Sequence, residues 1–211
     1  NLRAKMSANL RPWLKLTENI VFNNEFYHIP STSNKQGSGN FWDAINSEGH
    51  PSSPIFNPDG TLTMSGAYSV GGLVTENNYT DTKANNFKTT TGLRAEFFDK
   101  TLRAVADFTY SYRMNNELKK RTVVPYSTGP GIYETLGVPG TDDYLQEYFS
   151  GTDYLAANAY LEYENTFAKK HYFKAMAGYN YEQKHWKGVT SKRYDLMTPD
   201  TDAINLAMGE S

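Results

Sequence analysis

The strongest constraint in this sequence is an alternation of apolar and polar residues that recurs in six extended runs. In residues 2–10 the even positions are apolar and the odd positions are charged or polar. Side chains alternate between faces along a strand, so each run predicts a β-strand with one apolar face and one wet face. The six predicted strands cover about residues 2–10, 14–27, 85–98, 102–113, 154–167 and 171–186.

The connections between these runs alternate between short and long. Three-residue turns are predicted at 11–13, 99–101 and 168–170, and long polar loops at about 30–81 and 114–152. Short turns at one end and long loops at the other are typical of outer-membrane barrels. The predicted fold is therefore all-β: six antiparallel strands forming part of a large transmembrane β-barrel, with long extracellular loops and short periplasmic turns.

Aromatic residues are placed as this interpretation requires. One group lies beside the short turns and a second group at the opposite strand ends, with small aliphatic residues such as Ala106 and Ala175 between them. Two aromatic belts around an aliphatic band are typical of a surface that faces lipid. The first group is Trp13, Phe97, Phe98, Phe167 and Tyr172, and the second is Phe26, Tyr110, Tyr112, Tyr154, Tyr181 and Trp186.

Composition excludes several other classes. The formal net charge of −2 gives no overall basic footprint for nucleic acid. There are no cysteines, which rules out disulfides and thiolate chemistry. The four histidines show no metal-ligand spacing, so neither a metal nor a cofactor is expected. The mean hydropathy is −0.65, and no stretch approaches the ~18 apolar residues of a membrane helix.

Several segments resemble the SusC/RagA family of TonB-dependent outer-membrane transporters. They lie in the predicted strands and loops and follow one another in the family's order. They are residues 11–17 (RPWLKLT), 57–61 (NPDGT), 102–110 (LRAVADFTY), 160–164 (YLEYE), 170–179 (KHYFKAMAGY) and 204–209 (INLAMG).

The resemblance implies a barrel of about 22 strands that is filled by an N-terminal plug domain. It also implies a SusD-like surface lipoprotein as partner, import of oligosaccharides or peptides, energy supplied through TonB, a bacterial outer-membrane location and no enzymatic activity. Six strands cannot close such a barrel. We therefore expect residues 1–211 to be a partial barrel domain of a longer protein, with the plug, the TonB-contacting segment and the barrel closure outside it.

Two sets of candidate functional residues follow. Charged residues on the polar phase of the strands would line the lumen, although opposite charges on a solvated face would pair in the same way. They are Arg94, Glu96, Arg103, Asp107, Glu162 and Lys174. Aromatic residues in the long loops would stack on a sugar or peptide ligand, or simply pack the loops. They are Phe41, Trp42, Tyr68, Tyr133, Tyr144 and Tyr148.

Two alternatives remain open. Alternating strands rich in Tyr also occur in a soluble all-β carbohydrate-binding or adhesion module, which would remain in solution without detergent. The second alternative is an outer-membrane barrel enzyme. The sequence is rich in carboxylates, although no catalytic pattern is present.

Overall fold

The computed structural model describes residues 1–31, 46, 51–198 and 200–209, and within them the chain is mostly antiparallel β-structure. The predicted all-β class is therefore confirmed. The strands are β1 (Leu2–Arg11), β2 (Leu14–Pro30), β3 (Tyr79–Phe97), β4 (Leu102–Arg121), β5 (Val124–Gly129), β6 (Ile132–Leu136), β7 (Tyr144–Phe167) and β8 (His171–Tyr194). An α-helix, α1 (Met64–Val74), precedes β3, and a 3-10 turn covers Ile204–Leu206.

All six predicted strands belong to one sheet. Its strand order is β1-β2-β3-β4-β7-β8, so each strand pairs with the next predicted one along the chain. In the first pair the register sets Leu2 opposite Phe22 and Ala8 opposite Leu16. Directly opposed residues share a face of the sheet. The apolar positions of β1 and β2 therefore lie on the same side, as the alternation predicts.

The strands are longer than predicted, and the difference lies at the ends away from the short turns. β4 continues to Arg121 instead of ending near 113, and β7 begins at Tyr144 instead of 154. Likewise β3 begins at Tyr79 and β8 ends at Tyr194. These extensions carry polar residues on both phases, so a test based on apolar alternation does not detect them.

The two predicted long loops contain regular structure. β5 and β6 form a separate two-stranded antiparallel sheet inside the segment 114–152 that was expected to be a loop. α1 lies inside the first predicted loop and begins where the Thr63 hydroxyl accepts a hydrogen bond from the Gly66 amide at 2.9 Å. Such a cap satisfies an amide that the helix leaves unpaired, which fixes its first turn.

The short turns at the ends of β3 and β7 have a distinct geometry. Asp99 and Lys100 have φ of 50° and 71°, and Ala168 and Lys169 have φ of 50° and 56°. The Thr101 amide donates to the Phe98 carbonyl at 3.0 Å, and a matching bond closes the second turn at 3.1 Å. Two left-handed central residues are the mark of type I′ turns, whose twist matches that of a β-hairpin.

The chain divides into two compact units. The first comprises 1–25, 84–115 and 150–188, and holds the strand segments nearest the short turns. The second comprises 26–83, 116–149 and 189–211. The second unit has a small buried core in which Tyr68 packs against Leu62, Ala67, Val124, Tyr126 and Leu136.

Candidate functional site

One face of the first unit is polar across several strands. The Thr17 hydroxyl on β2 donates to the Gly92 carbonyl on β3 at 3.3 Å. The Thr90 hydroxyl on β3 lies 3.0 Å from that of Thr109 on β4. The side chains of Asn158 on β7 and Asn180 on β8 are also hydrogen-bonded. The predicted polar rows of neighbouring strands therefore share one face, which we call the polar face.

A network of ion pairs crosses this polar face from β4 to β8. Arg103 Nη1 lies 2.6 Å from Glu162 and 3.4 Å from Glu164 on β7. Lys174 Nζ on β8 lies 2.9 Å from the same Glu162 carboxylate and 3.9 Å from Glu164. The structure thus brings together three of the six residues predicted to face a lumen: Arg103, Glu162 and Lys174.

The other three predicted lumen residues lie elsewhere on the polar face. Arg94 pairs with Glu96 two positions along β3, with an N–O distance of 2.7 Å. Asp107 on β4 lies beside Gly92, where an added Cβ would come within 2.9 Å of its carboxylate. These three residues line one groove with the β1–β2 turn, and the groove has a volume of about 470 Å³.

The opposite face of the first unit is apolar. A shallow depression of about 530 Å³ is lined by residues of four strands and the start of β2, with little polar surface. Leu161 is 53% exposed and Tyr179 71% exposed on this face. Residues of the predicted apolar rows that meet there are Leu93, Ala95, Ala104, Ala106, Ala159, Leu161, Ala177 and Tyr179.

Some of the predicted aromatic residues lie near the short turns on the apolar face, but Tyr172, two residues before Lys174, has the phase of the polar face. The Trp13 ring lies 5.3 Å from that of Phe97, and the Tyr163 ring lies 6.2 Å from that of Phe173. Phe98 in the β3–β4 turn is 78% exposed. Trp13 is 46% and Phe173 52% exposed, so this end of the face presents aromatic surface outward.

One carboxylate interrupts the apolar face. Glu18 stands opposite Met6 in the β1–β2 register and accepts hydrogen bonds from the hydroxyls of Thr89 and Thr91 on β3. Glu18 already breaks the alternation in the sequence. Its two threonine partners show how the polar group is accommodated, because each carboxylate oxygen receives one hydroxyl.

The predicted loop aromatics do not form one cluster in the second unit. Tyr68 packs against the small core. Tyr144 contacts the Tyr194 ring at 5.9 Å, and Lys192 Nζ lies 3.8 Å from its centroid. Tyr148 is partly buried, whereas Tyr133 on β6 is 68% exposed. Phe41 and Trp42 lie outside the described residues.

A turn in the second unit has a structural role that its sequence only partly predicts. The Asn57-Pro58-Asp59-Gly60 segment forms a tight turn in which the Gly60 amide donates to the Asn57 carbonyl at 2.9 Å. The Asn57 side-chain amide donates to the Ser127 carbonyl at 3.1 Å. Asn57 therefore joins this turn to β5, a contact across 70 residues that local sequence does not predict.

A buried cation is the main electrostatic feature that sequence reasoning missed. The Lys120 side chain is only 3% exposed, and its Nζ lies 2.7 Å from the Asp202 carboxylate. The Tyr79 hydroxyl donates to the same carboxylate at 2.6 Å. Lys120 lies in a segment that was predicted to be a loop, and Asp202 lies in the polar tail. No sequence pattern therefore predicts a contact between them.

This cluster shifts the ionisation of its members. Burial raises the pKa of Asp202, but the hydrogen bonds from Lys120 and Tyr79 together hold this pKa below its ordinary value. Burial and the adjacent Asp202 carboxylate raise the pKa of Tyr79. Asp202 is therefore ionised and Tyr79 protonated at neutral pH, which matches a carboxylate that accepts both bonds.

Neither protein families nor curated proteins provide a relative of this chain. No protein-family model matches this chain, and no curated protein matches it.

In the described part of the chain, no helix has the length and apolar character needed to cross a membrane. The same residues contain no group of three or more histidine and acidic side chains arranged to hold a metal ion.

Proposed function

We propose that this chain is part of the β-barrel of a TonB-dependent outer-membrane transporter similar to the SusC/RagA family. In this proposal the apolar face of the first unit contacts lipid and the polar face lines the lumen. The membrane-crossing segments are those nearest the short turns. The barrel would import oligosaccharides or peptides together with a SusD-like lipoprotein.

The observation that carries the proposal is the pair of unlike faces on one sheet. Met6, Leu161 and Tyr179 are more than half exposed on the apolar face, at 60%, 53% and 71%. Contiguous apolar patches of this kind are rare on soluble proteins and mark contact with a partner or a membrane. Contact with lipid would remove all the apolar side chains of this face from water. Each apolar side chain removed from water contributes about 1.5–3 kcal/mol.

The charges of the polar face support the same assignment. The cross-strand network of Arg103, Glu162 and Lys174 would be costly in hydrocarbon but is stable beside water or a polar plug. The network joins three strands, so it also fixes their register on the lumen side. In this proposal the parts that bind TonB would lie N-terminal to the barrel, as the resemblance to the family implies.

Topology provides a direct test, since the chain has no cysteine of its own. Tyr133→Cys would place a thiol on an exposed position of the long-loop side, and Lys170→Cys would place one in a short turn. In intact cells an impermeant maleimide should label Tyr133→Cys only. Lys170→Cys should react after the outer membrane is opened.

Equal labelling of both variants in intact cells would refute this topology. If the full protein also stays in solution without detergent, the soluble carbohydrate-binding or adhesion module replaces the transporter. Labelling of the lysed sample serves as the internal control, because both thiols must react there.

A further inference from the structure

We infer that the polar face of the β1–β2 hairpin binds an extended anionic oligosaccharide, one that carries carboxylate or sulfate groups along its length. The inference rests on the proposed function, in which this face lines the transport path. It arises from a set of four cations that we call the basic row: Arg3, Lys5, Arg11 and Lys15.

The register places Arg3, Lys5 and Lys15 of the basic row on the polar face. Lys5 stands opposite Asn19, and Lys15 opposite Asn9. Thr17, in phase with Lys15, bonds to the Gly92 carbonyl and so identifies the face. Arg11 follows a register shift at the end of β1, and with Lys15 it lines the groove of about 470 Å³ described above.

The four cations form no ion pair with the acidic residues that the structure describes. None of them has a carboxylate within ion-pair distance among the described residues, whereas Arg94, Arg103 and Lys174 on the same face are all paired. The chain as a whole has a net charge of −2, so this cluster is a local departure from its average. Unpaired cations grouped on one surface attract anions.

The acids nearest to the row do not neutralise it. Glu18 on the same hairpin is hydrogen-bonded to Thr89 and Thr91 on the opposite face. Glu96 in the groove is already paired with Arg94. Asp107 is the remaining carboxylate that lines the groove, and it lies across from the hairpin on β4.

The shape of the row favours an oligomer over a small anion. Eight residue steps separate Arg3 from Arg11, a distance of about 27 Å along an extended strand. Hydrogen-bonding side chains lie between the cations: Ser7, Asn9, Thr17 and Asn19. The Asn19 side-chain oxygen is buried and has no hydrogen-bond partner. Neutral donors and acceptors between cations suit sugar hydroxyls that separate charged groups.

Binding to the full chain purified in detergent tests this inference. The probes are dextran sulfate oligomers and uncharged dextran of equal length. We expect dextran sulfate alone to bind, with affinity that falls as salt rises. Arg11→Gln combined with Lys15→Gln should weaken binding about tenfold or more, since two charge-assisted contacts are lost.

The matched control is Lys100→Gln combined with Lys170→Gln, which removes the same charge from the short turns. The control should bind dextran sulfate as the wild type does. Arg3→Gln combined with Lys5→Gln is a second variant, and it should weaken long oligomers more than short ones. If the first variant does not fold, the binding of dextran sulfate to this second variant decides the test.

Three outcomes would overturn the inference. They are equal binding of charged and uncharged dextran, equal loss in the control variant, and binding of polyglutamate in place of dextran sulfate. The last would assign the row to an acidic peptide. Cell labelling at Tyr133 and Lys170 tests the transporter proposal separately. If the labelling confirms the topology but dextran sulfate does not bind, only the inference about the anionic ligand is refuted.

Discussion

Replacing Asp202 by Asn should loosen the second unit around the buried Lys120. The Lys120 side chain is 3% exposed and that of Asp202 is 44% exposed, so the cost is unequal for the two partners. Breaking a fully buried ion pair costs about 3–5 kcal/mol because it leaves an uncompensated charge. The exposure of Asp202 reduces this figure through solvent screening, to about 2 kcal/mol.

The same reasoning makes Lys120→Met the milder change. Methionine keeps the buried volume without a charge, and the carboxylate left behind is partly solvated. We therefore expect Lys120→Met to cost about 1 kcal/mol or less. The double variant should resemble Lys120→Met, because Asp202→Asn no longer leaves a buried charge unpaired. Asp200→Asn, on the same tail and two residues before Asp202, is the control.

Hydrogen exchange followed by mass spectrometry measures this effect locally in the full protein. A loss of about 2 kcal/mol corresponds to roughly 30-fold faster exchange of amides near Lys120. Asp200→Asn should leave those amides unchanged. If Asp202→Asn exchanges at the wild-type rate, or if Lys120→Met is the more harmful change, the argument from unequal burial is wrong.

The pKa of Asp202 gives the same contact a pH dependence. Its pKa is lowered in the folded protein, so the contribution is present above the unfolded value of about 3.9 and is lost as pH falls through the folded pKa. The protection factors of amides near Lys120 should fall over that acid range more in the wild type than in Asp202→Asn. Parallel acid profiles for the two proteins would contradict this.

Two further changes test local geometry. Ala168→Asn combined with Lys169→Gly should increase the free energy of unfolding by about 1 kcal/mol and so raise the melting temperature, because both positions have φ above 0° and Asn-Gly suits a type I′ turn. An unchanged melting temperature would argue against that turn. Gly66→Ala should lower stability although Ala favours helix, because its Cβ would lie 2.1 Å from the Ile55 carbonyl oxygen. Gly129→Ala, with ordinary contact at 3.7 Å, is the control and should be mild.

The six long strands were predictable because each carries a regular signal that repeats over several residues. β1 alternates strictly, and its neighbours share its register, so the faces follow from the pattern. The hairpin of β5 and β6 was not predicted, because its residues lie in the segment 114–152 that was assigned to a loop. Its strands are only six and five residues long, and Pro125, a residue that weakens the sequence signal of a strand, lies within the first one.

The candidate site was predictable only in part, for a related reason. Residues such as Arg103 and Glu162 share a face because strand alternation places them there, and the structure pairs them at 2.6 Å. The contact between Lys120 and Asp202 joins positions 82 residues apart, and no local pattern encodes it. Loop aromatics such as Tyr144 have packing partners that only the folded chain supplies.

Arginine placed at two adjacent positions of β4 tests the central claim most directly. Val105 lies two residues from both Arg103 and Asp107 and so shares their phase on the polar face, whereas Ala106 has the opposite phase and lies in the apolar depression. Ala106→Arg should reduce folding of the full protein into lipid vesicles, since arginine facing mid-membrane lipid costs about 2–4 kcal/mol. Val105→Arg should fold close to wild type. Equal folding of the two variants would contradict the assignment of the apolar face to lipid.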